Sequence, residues 1–151
     1  MEHGTIEREI RIDASPEVVF EVVSKPEHVR EWWPDEASYD AVPGSSGELT
    51  FGDPAADGGV ATITVLDVEP PSRFRFRWTH PSGEAPTTSN SLLVTLDLEP
   101  VDGGTLLRLT ETGFREQGWE VAVLEEQYRE HEQGWDHFLP RLETYAAKVA
   151  A

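Results

Sequence analysis

Hydrophobic positions recur along this chain at two different periods, and the change of period divides it. Over residues 121–149 apolar side chains return at helical spacing. Val121, Leu124, Tyr128, Trp135, Phe138, Leu139, Leu142, Ala146 and Val149 form one stripe. Glu125, Glu126, Arg129, Glu130, Glu132, Gln133, Asp136, His137, Arg141 and Glu143 take the other face. A helix of roughly 29 residues extends about 43 Å, and only a broad apolar surface covers such a stripe. Most of the preceding chain alternates instead. Residues 5–12 place Ile6, Ile10 and Ile12 on one face, interrupted by Arg8, which marks an edge or mouth. Residues 73–80 alternate most cleanly, with Phe74, Phe76, Trp78 and His80 opposite Arg73, Arg75, Arg77 and Thr79. Further strands are predicted at 37–42, 48–51, 60–69, 91–99 and 105–112.

Punctuation between these runs is strong. Ser15-Pro16-Glu17 caps and starts a short apolar helix. Pro26 starts another that carries Val29, Trp32 and Trp33 and stops at Pro34. A hairpin turn falls at 43–47, a loop at 52–59, and a turn at Asp102-Gly103-Gly104. Strand, two helices, six strands and a helix, joined by short turns, predict an α+β class. The expectation is a curved antiparallel sheet of about seven strands wrapped around the long C-terminal helix, with residues 1–151 as one domain.

Composition removes several functions. The chain has no cysteine, which excludes disulfides, thiolate catalysis and cysteine-ligated zinc. Its 29 acidic and 12 basic residues give a formal net charge of −17. Such a surface repels phosphate backbones and anionic membranes, so nucleic acid is not an expected partner. No apolar run has signal-peptide or membrane-spanning character, and the expected location is the cytoplasm. His131-Glu132-Gln133-Gly134-Trp135 begins like a zinc-protease helix motif, but Trp135 stands where a histidine ligand is needed. No metal or cofactor is expected.

Several strings, in this order, carry a resemblance. They are Ile12-Asp13-Ala14-Ser15-Pro16-Glu17-Val18-Val19-Phe20 and Pro26-Glu27-His28-Val29-Arg30-Glu31-Trp32-Trp33, followed by Gly104-Thr105-Leu106-Leu107-Arg108-Leu109-Thr110-Glu111-Thr112-Gly113-Phe114 and His131-Glu132-Gln133-Gly134-Trp135. Together they resemble the SRPBCC superfamily, with its START-like or helix-grip fold. Within it they are most similar to the family of the C-terminal domain of the heat-shock chaperone ATPase activator. The resemblance implies a cavity between sheet and C-terminal helix that holds a hydrophobic or amphipathic small molecule. It does not imply one activity.

The candidate ligand-binding residues are Trp33, Phe51, Phe76, Trp78, His80, Tyr128, His131, Trp135 and Phe138. The aromatics either line the cavity or fill it. His80 extends the Phe74, Phe76 and Trp78 face and would aim a polar group at a ligand. His131 lies inside the apolar stripe, as a partly buried histidine or as a pocket-facing acid/base. Gly134 would permit close approach of sheet or ligand, and Pro140 should bend the helix. Of the last strand, Arg108 and Thr110 share one parity and Glu111 has the other, and parity alone does not choose between them. The leading function is non-catalytic binding of a hydrophobic or amphipathic molecule, with no catalytic residue assigned. One alternative is a cyclase- or hydratase-type enzyme using His131, with His80 or Tyr128. Another is a chaperone-associated interaction module, with Trp119 as an exposed anchor. Oligomeric state is left open.

Overall fold

A computed structural model of the chain describes residues 4–52 and 59–151. Its elements run β1 (Thr5–Ile12), α1 (Pro16–Ser24), α2 (Pro26–Trp32), β2 (Glu36–Ser38), β3 (Ser46–Phe51), β4 (Gly59–Glu69), β5 (Arg73–His80), β6 (Leu92–Val101), β7 (Gly104–Thr112) and α3 (Val121–Ala150), with one 3₁₀ turn at Arg115–Gln117. The strands form one seven-stranded antiparallel sheet in the order β1-β7-β6-β5-β4-β3-β2. This is the α+β helix-grip arrangement that the patterning predicts. Most of the expected loop at 52–59 lies outside the described residues.

The sheet register decides which side chains face α3. Phe76 stands opposite Val65 on one side and Val94 on the other. Val94 in turn stands opposite Glu111, and Glu111 opposite Ile6. All five are buried, so this row crosses the sheet on its inner face and includes one carboxylate. The inner face is covered by Trp135, Leu139, Leu142 and Ala146 of α3 and by the apolar sides of α1 and α2. The helix overhangs at both ends. Val121 and Val149, counted on the apolar stripe, are 70% and 40% exposed, because about 45 Å of helix exceeds what the sheet covers. α3 continues through Pro140, whose carbonyl accepts the Thr144 hydroxyl at 3.1 Å.

Side-chain hydrogen bonds lock the elements around this core. Ser15 Oγ caps α1 by accepting from the Val18 amide at 3.3 Å. Trp32 is fully buried and its Nε1–H donates to Val22 O at 2.9 Å, tying α2 to α1. His28 meets Tyr145 at 2.8 Å and joins α2 to α3. β1 is an edge strand. Its Arg8 reaches α3, donating to Asp136 at 2.8 Å and Glu132 at 3.1 Å. That is what an arginine on the isoleucine face does at an edge.

Two of the departures from expectation have a visible reason. β2 ends at Ser38 rather than residue 42, because Tyr39 turns inward and donates its hydroxyl to Ser24 O at 2.6 Å. The chain then approaches β3 so closely that a Cβ on Gly47 would sit 1.7 Å from Ser38 O. The second difference is a bulge in β5. Thr62 pairs with His80 and Ile63 with Trp78, leaving Thr79 unpaired at φ 72°.

Burial of Tyr39 pushes its phenol well above the ordinary value of 10.0. The folded state therefore holds that proton more tightly than the unfolded chain does. The stability this contributes is complete below about pH 10 and is lost as the pH rises beyond it. Urea titrations across this range should show stability falling on the alkaline side. Tyr39→Phe should lose about 1 kcal/mol at neutral pH, from the missing hydrogen bond, and then show a shallower alkaline fall.

Candidate functional site

The site begins with a carboxylate in an apolar row. Leu107, Leu109 and Glu111 alternate inward along β7, and all three are fully buried. A lone buried carboxylate is costly, and Glu111 is not left alone. Trp78 Nε1–H of β5 donates to its Oε2 at 2.7 Å, and Trp135 Nε1–H of α3 donates to its Oε1 at 2.8 Å. His131 Nδ1 lies 3.1 Å from both oxygens. His131 and Trp135 are four residues apart on α3, which puts both on the face turned to the sheet. A carboxylate whose two oxygens already accept from indoles can only accept from the imidazole as well. With Glu111 ionised, the Nδ1 contact carries its proton on the histidine.

The imidazole is held in place by its neighbours. Its ring meets Trp78 edge-on at 5.2 Å and Phe114 at 5.5 Å. Nε2, on the far edge of the ring, has no protein hydrogen-bond partner among the described residues. Every fully buried polar side-chain atom among them has one. Nε2 is thus the accessible edge of a half-buried ring.

Aromatic rings build the rest. Trp33 ends α2 just before Pro34, and its ring lies 4.9 Å from Trp78, 5.0 Å from Trp135, 5.7 Å from Phe76 and 5.8 Å from Phe51. These rings fill much of the space between sheet and helix. What remains is a cleft of about 420 Å³, open to solvent, at the β3–β4 side of α3. Trp33, Phe51, Trp78, Trp135 and Phe138 line it, with Val60 and Ala61 on one wall and Thr79, Glu130, His131 and Gly134 around it. A Cβ on Gly134 would meet nothing within 4 Å. No close approach of the sheet explains this glycine, which borders the open cleft instead.

Six of the nine expected residues thus come together: Trp33, Phe51, Trp78, His131, Trp135 and Phe138. Phe76 lies beneath them, 2% exposed, packed on Trp33, Phe74 and Trp78. Tyr128 packs on Phe114 and donates its hydroxyl to Thr5 O at 2.7 Å, away from the cleft lining. His80 is a correction. The bulge at Thr79 reverses the alternation, so His80 leaves the Phe76 and Trp78 face. Its Nε2 meets Thr64 Oγ1 at 3.0 Å, and Thr64 pairs with Arg77 on the opposite face. An acid/base role shared by His80 and His131 is therefore lost, and Thr79 takes the place on the cleft wall. Trp119 is 36% exposed and stands outside the lining. Among the described residues no three His, Asp or Glu side chains converge as metal ligands, and no helix is long and apolar enough to cross a membrane.

Patterning alone missed Glu111 as the centre of the site. The available signal was its parity with Leu107 and Leu109, which makes it the polar member of an apolar face. Thr79 carried no signal, since a bulge is invisible in a regular alternation.

Comparison with known proteins is consistent with this geometry. Residues 13–147 match the family model described as activator of Hsp90 ATPase homolog 1-like protein. Among solved structures, protein MLL2253 from Mesorhizobium loti is 25% identical, covering 97% of this chain and 99% of that one, with a TM-score of 0.74. The Aha1 dimer from Colwellia psychrerythraea is 21% identical over 92% of both chains, with a TM-score of 0.67. DynU16, from the dynemicin biosynthetic locus, is 24% identical; the match covers 97% of this chain but 48% of that one, with a TM-score of 0.70. The last two likenesses carry the fold alone. No curated protein sequence matches at a comparable level.

Because Glu111 serves three donors at once, Glu111→Leu should leave two buried indole N–H groups without an acceptor. Each costs roughly 1–3 kcal/mol. Urea denaturation should therefore show a loss of several kcal/mol. A loss below about 1 kcal/mol would contradict the assigned network.

Proposed function

The chain belongs to the family of activator of Hsp90 ATPase homolog 1-like proteins, and from that premise we propose that its cleft binds an uncharged, flat, largely apolar small molecule. The observation that carries this reading is the lining itself. Five aromatic side chains surround about 420 Å³ of open space, and the His131 ring, whose Nε2 has no partner among the described residues, borders it. Ligand pockets have this volume and this balance of many apolar groups to few polar ones.

Charge narrows the ligand class. Among the described residues no lysine or arginine lines the cleft, and Glu130 does. The whole chain carries a formal −17. An anionic ligand such as a free fatty acid would enter against this field, and the Arg141 guanidinium, 5.7 Å over the Phe138 ring, stands outside the lining. Stacking area is what the site offers, and a planar ring system uses it best.

The neutral probe N-phenyl-1-naphthylamine tests the reading directly. Its fluorescence should rise saturably at one equivalent, and the anionic 1-anilinonaphthalene-8-sulfonate should bind more weakly. Gly134→Ala should stabilise α3 by up to about 1 kcal/mol, since its methyl group has room. Gly134→Trp should fill the cleft and abolish probe binding while the protein still unfolds cooperatively. Unchanged probe binding in Gly134→Trp would sink the assignment of the cleft.

A further inference from the structure

The Glu111–His131 pair holds a polarity that retention of an apolar ligand does not require. A purely packing role would satisfy both ring nitrogens or replace the ring by an apolar one. Here Nδ1 is bonded to a fully buried carboxylate, while Nε2 has no protein partner among the described residues and its ring borders the cleft. An ionised carboxylate accepts only, so a neutral His131 carries its proton on Nδ1 and its lone pair on Nε2. Trp78 and Phe114 hold the ring edge-on, so its direction is set before any ligand arrives. This is a base whose tautomer and orientation are both pre-arranged by a second group.

Resting on the binding reading above, we infer that His131 Nε2 removes a proton from the carbon beside the carbonyl of a neutral ketone that carries a fused aromatic ring, bound in the cleft. Glu111 acts through His131 as its positioning residue. In this step a C–H bond breaks and an N–H bond forms on Nε2. The C–H electron pair moves to the carbonyl oxygen, giving an enolate. The imidazolium is stabilised by the Glu111 carboxylate, and Thr79 supplies a hydroxyl on the cleft wall. Return of a proton from the imidazolium to oxygen or carbon completes a tautomerisation, with no oxidant, reductant or co-reactant; in D2O the Nε2 proton exchanges with solvent through the open cleft before it returns. The rings of Trp33, Trp78 and Trp135 hold the flat part of the substrate. The absence of lysine and arginine from the described lining residues favours a substrate that enters and leaves uncharged.

The test uses 2-tetralone in D2O, with two separate readouts. Quenching of tryptophan fluorescence reports binding, and proton NMR reports exchange of hydrogen for deuterium beside the carbonyl. The wild-type protein should accelerate exchange about a hundredfold over buffer, saturably. His131→Phe should still quench but exchange at the buffer rate. Glu111→Gln should present its amide N–H to Nδ1 and drive the proton to Nε2. Exchange should then fall at least tenfold, and the ¹⁵N signals of the His131 ring should report the other tautomer, which a merely structural role would not change. If Glu111→Gln fails to fold, His131→Phe decides alone. Quenching of the wild-type protein with exchange at the buffer rate, or exchange at the wild-type rate in His131→Phe, overturns the acid/base role and leaves the binding reading standing. Failure of both 2-tetralone and N-phenyl-1-naphthylamine to bind overturns both.

Discussion

One buried carboxylate holds three elements in register. Glu111 sits in the inner row of the sheet and accepts from an indole of β5 and from an indole and an imidazole of α3. In a low-dielectric interior such bonds are strong, and leaving any of them unmade is correspondingly costly. The bonds also restrict the rings. Neither Trp78 nor Trp135 can swing into the cleft without giving up its acceptor. An apolar core would relax to fill a space of about 420 Å³; a core pinned by hydrogen bonds does not. The carboxylate thus keeps the cleft open as well as joining sheet to helix.

The two halves of the interior then follow different rules. Toward the C-terminus of α3, Leu139, Leu142 and Ala146 pack as ordinary core, with Phe20 edge-on to Phe74 behind them. Toward its middle, Trp33 is the hub of a ring cluster that closes the floor of the cleft. Trp33 reaches it because α2 stops at Pro34, which forces the preceding residue out of helical geometry. The generous cavity implied by a helix-grip fold is therefore reduced to one open end, floored by Trp33 and Phe76 and walled by α3.

The architecture was legible in the sequence because it depends on periodicity, and periodicity survives averaging over many residues. Strand alternation, the Ser15 cap and the long stripe of α3 each predict an element that the structure contains. The cleft was only partly legible. Trp33, Phe51, Trp78, His131, Trp135 and Phe138 could be gathered by face and spacing. His80 could not be placed, because one unpaired residue in β5 reverses every side chain after it. Tyr128 sits on the predicted stripe but spends its hydroxyl on Thr5 O. Glu111 needed knowledge of which face of β7 turns inward, and the presence of Leu106 on the other parity blurred that signal.

What the sequence could not rationalise converges in space. Glu111 places a charge in an apolar row. Thr79 is a β-branched residue at positive φ, a conformation that costs energy. Gly134 weakens the middle of a helix with no neighbouring atom to demand it. Each breaks a local rule, and a fold needs none of them: a leucine, a regular strand and an alanine would serve the scaffold better. Pro140 also breaks a rule, but it lies on the α2-facing side among exposed residues, outside the cleft lining. The other three all border or anchor the cleft. Independent departures from stability that meet at one place are the mark of a site shaped for something other than folding. Here they supply its acceptor, its hydroxyl and its open wall.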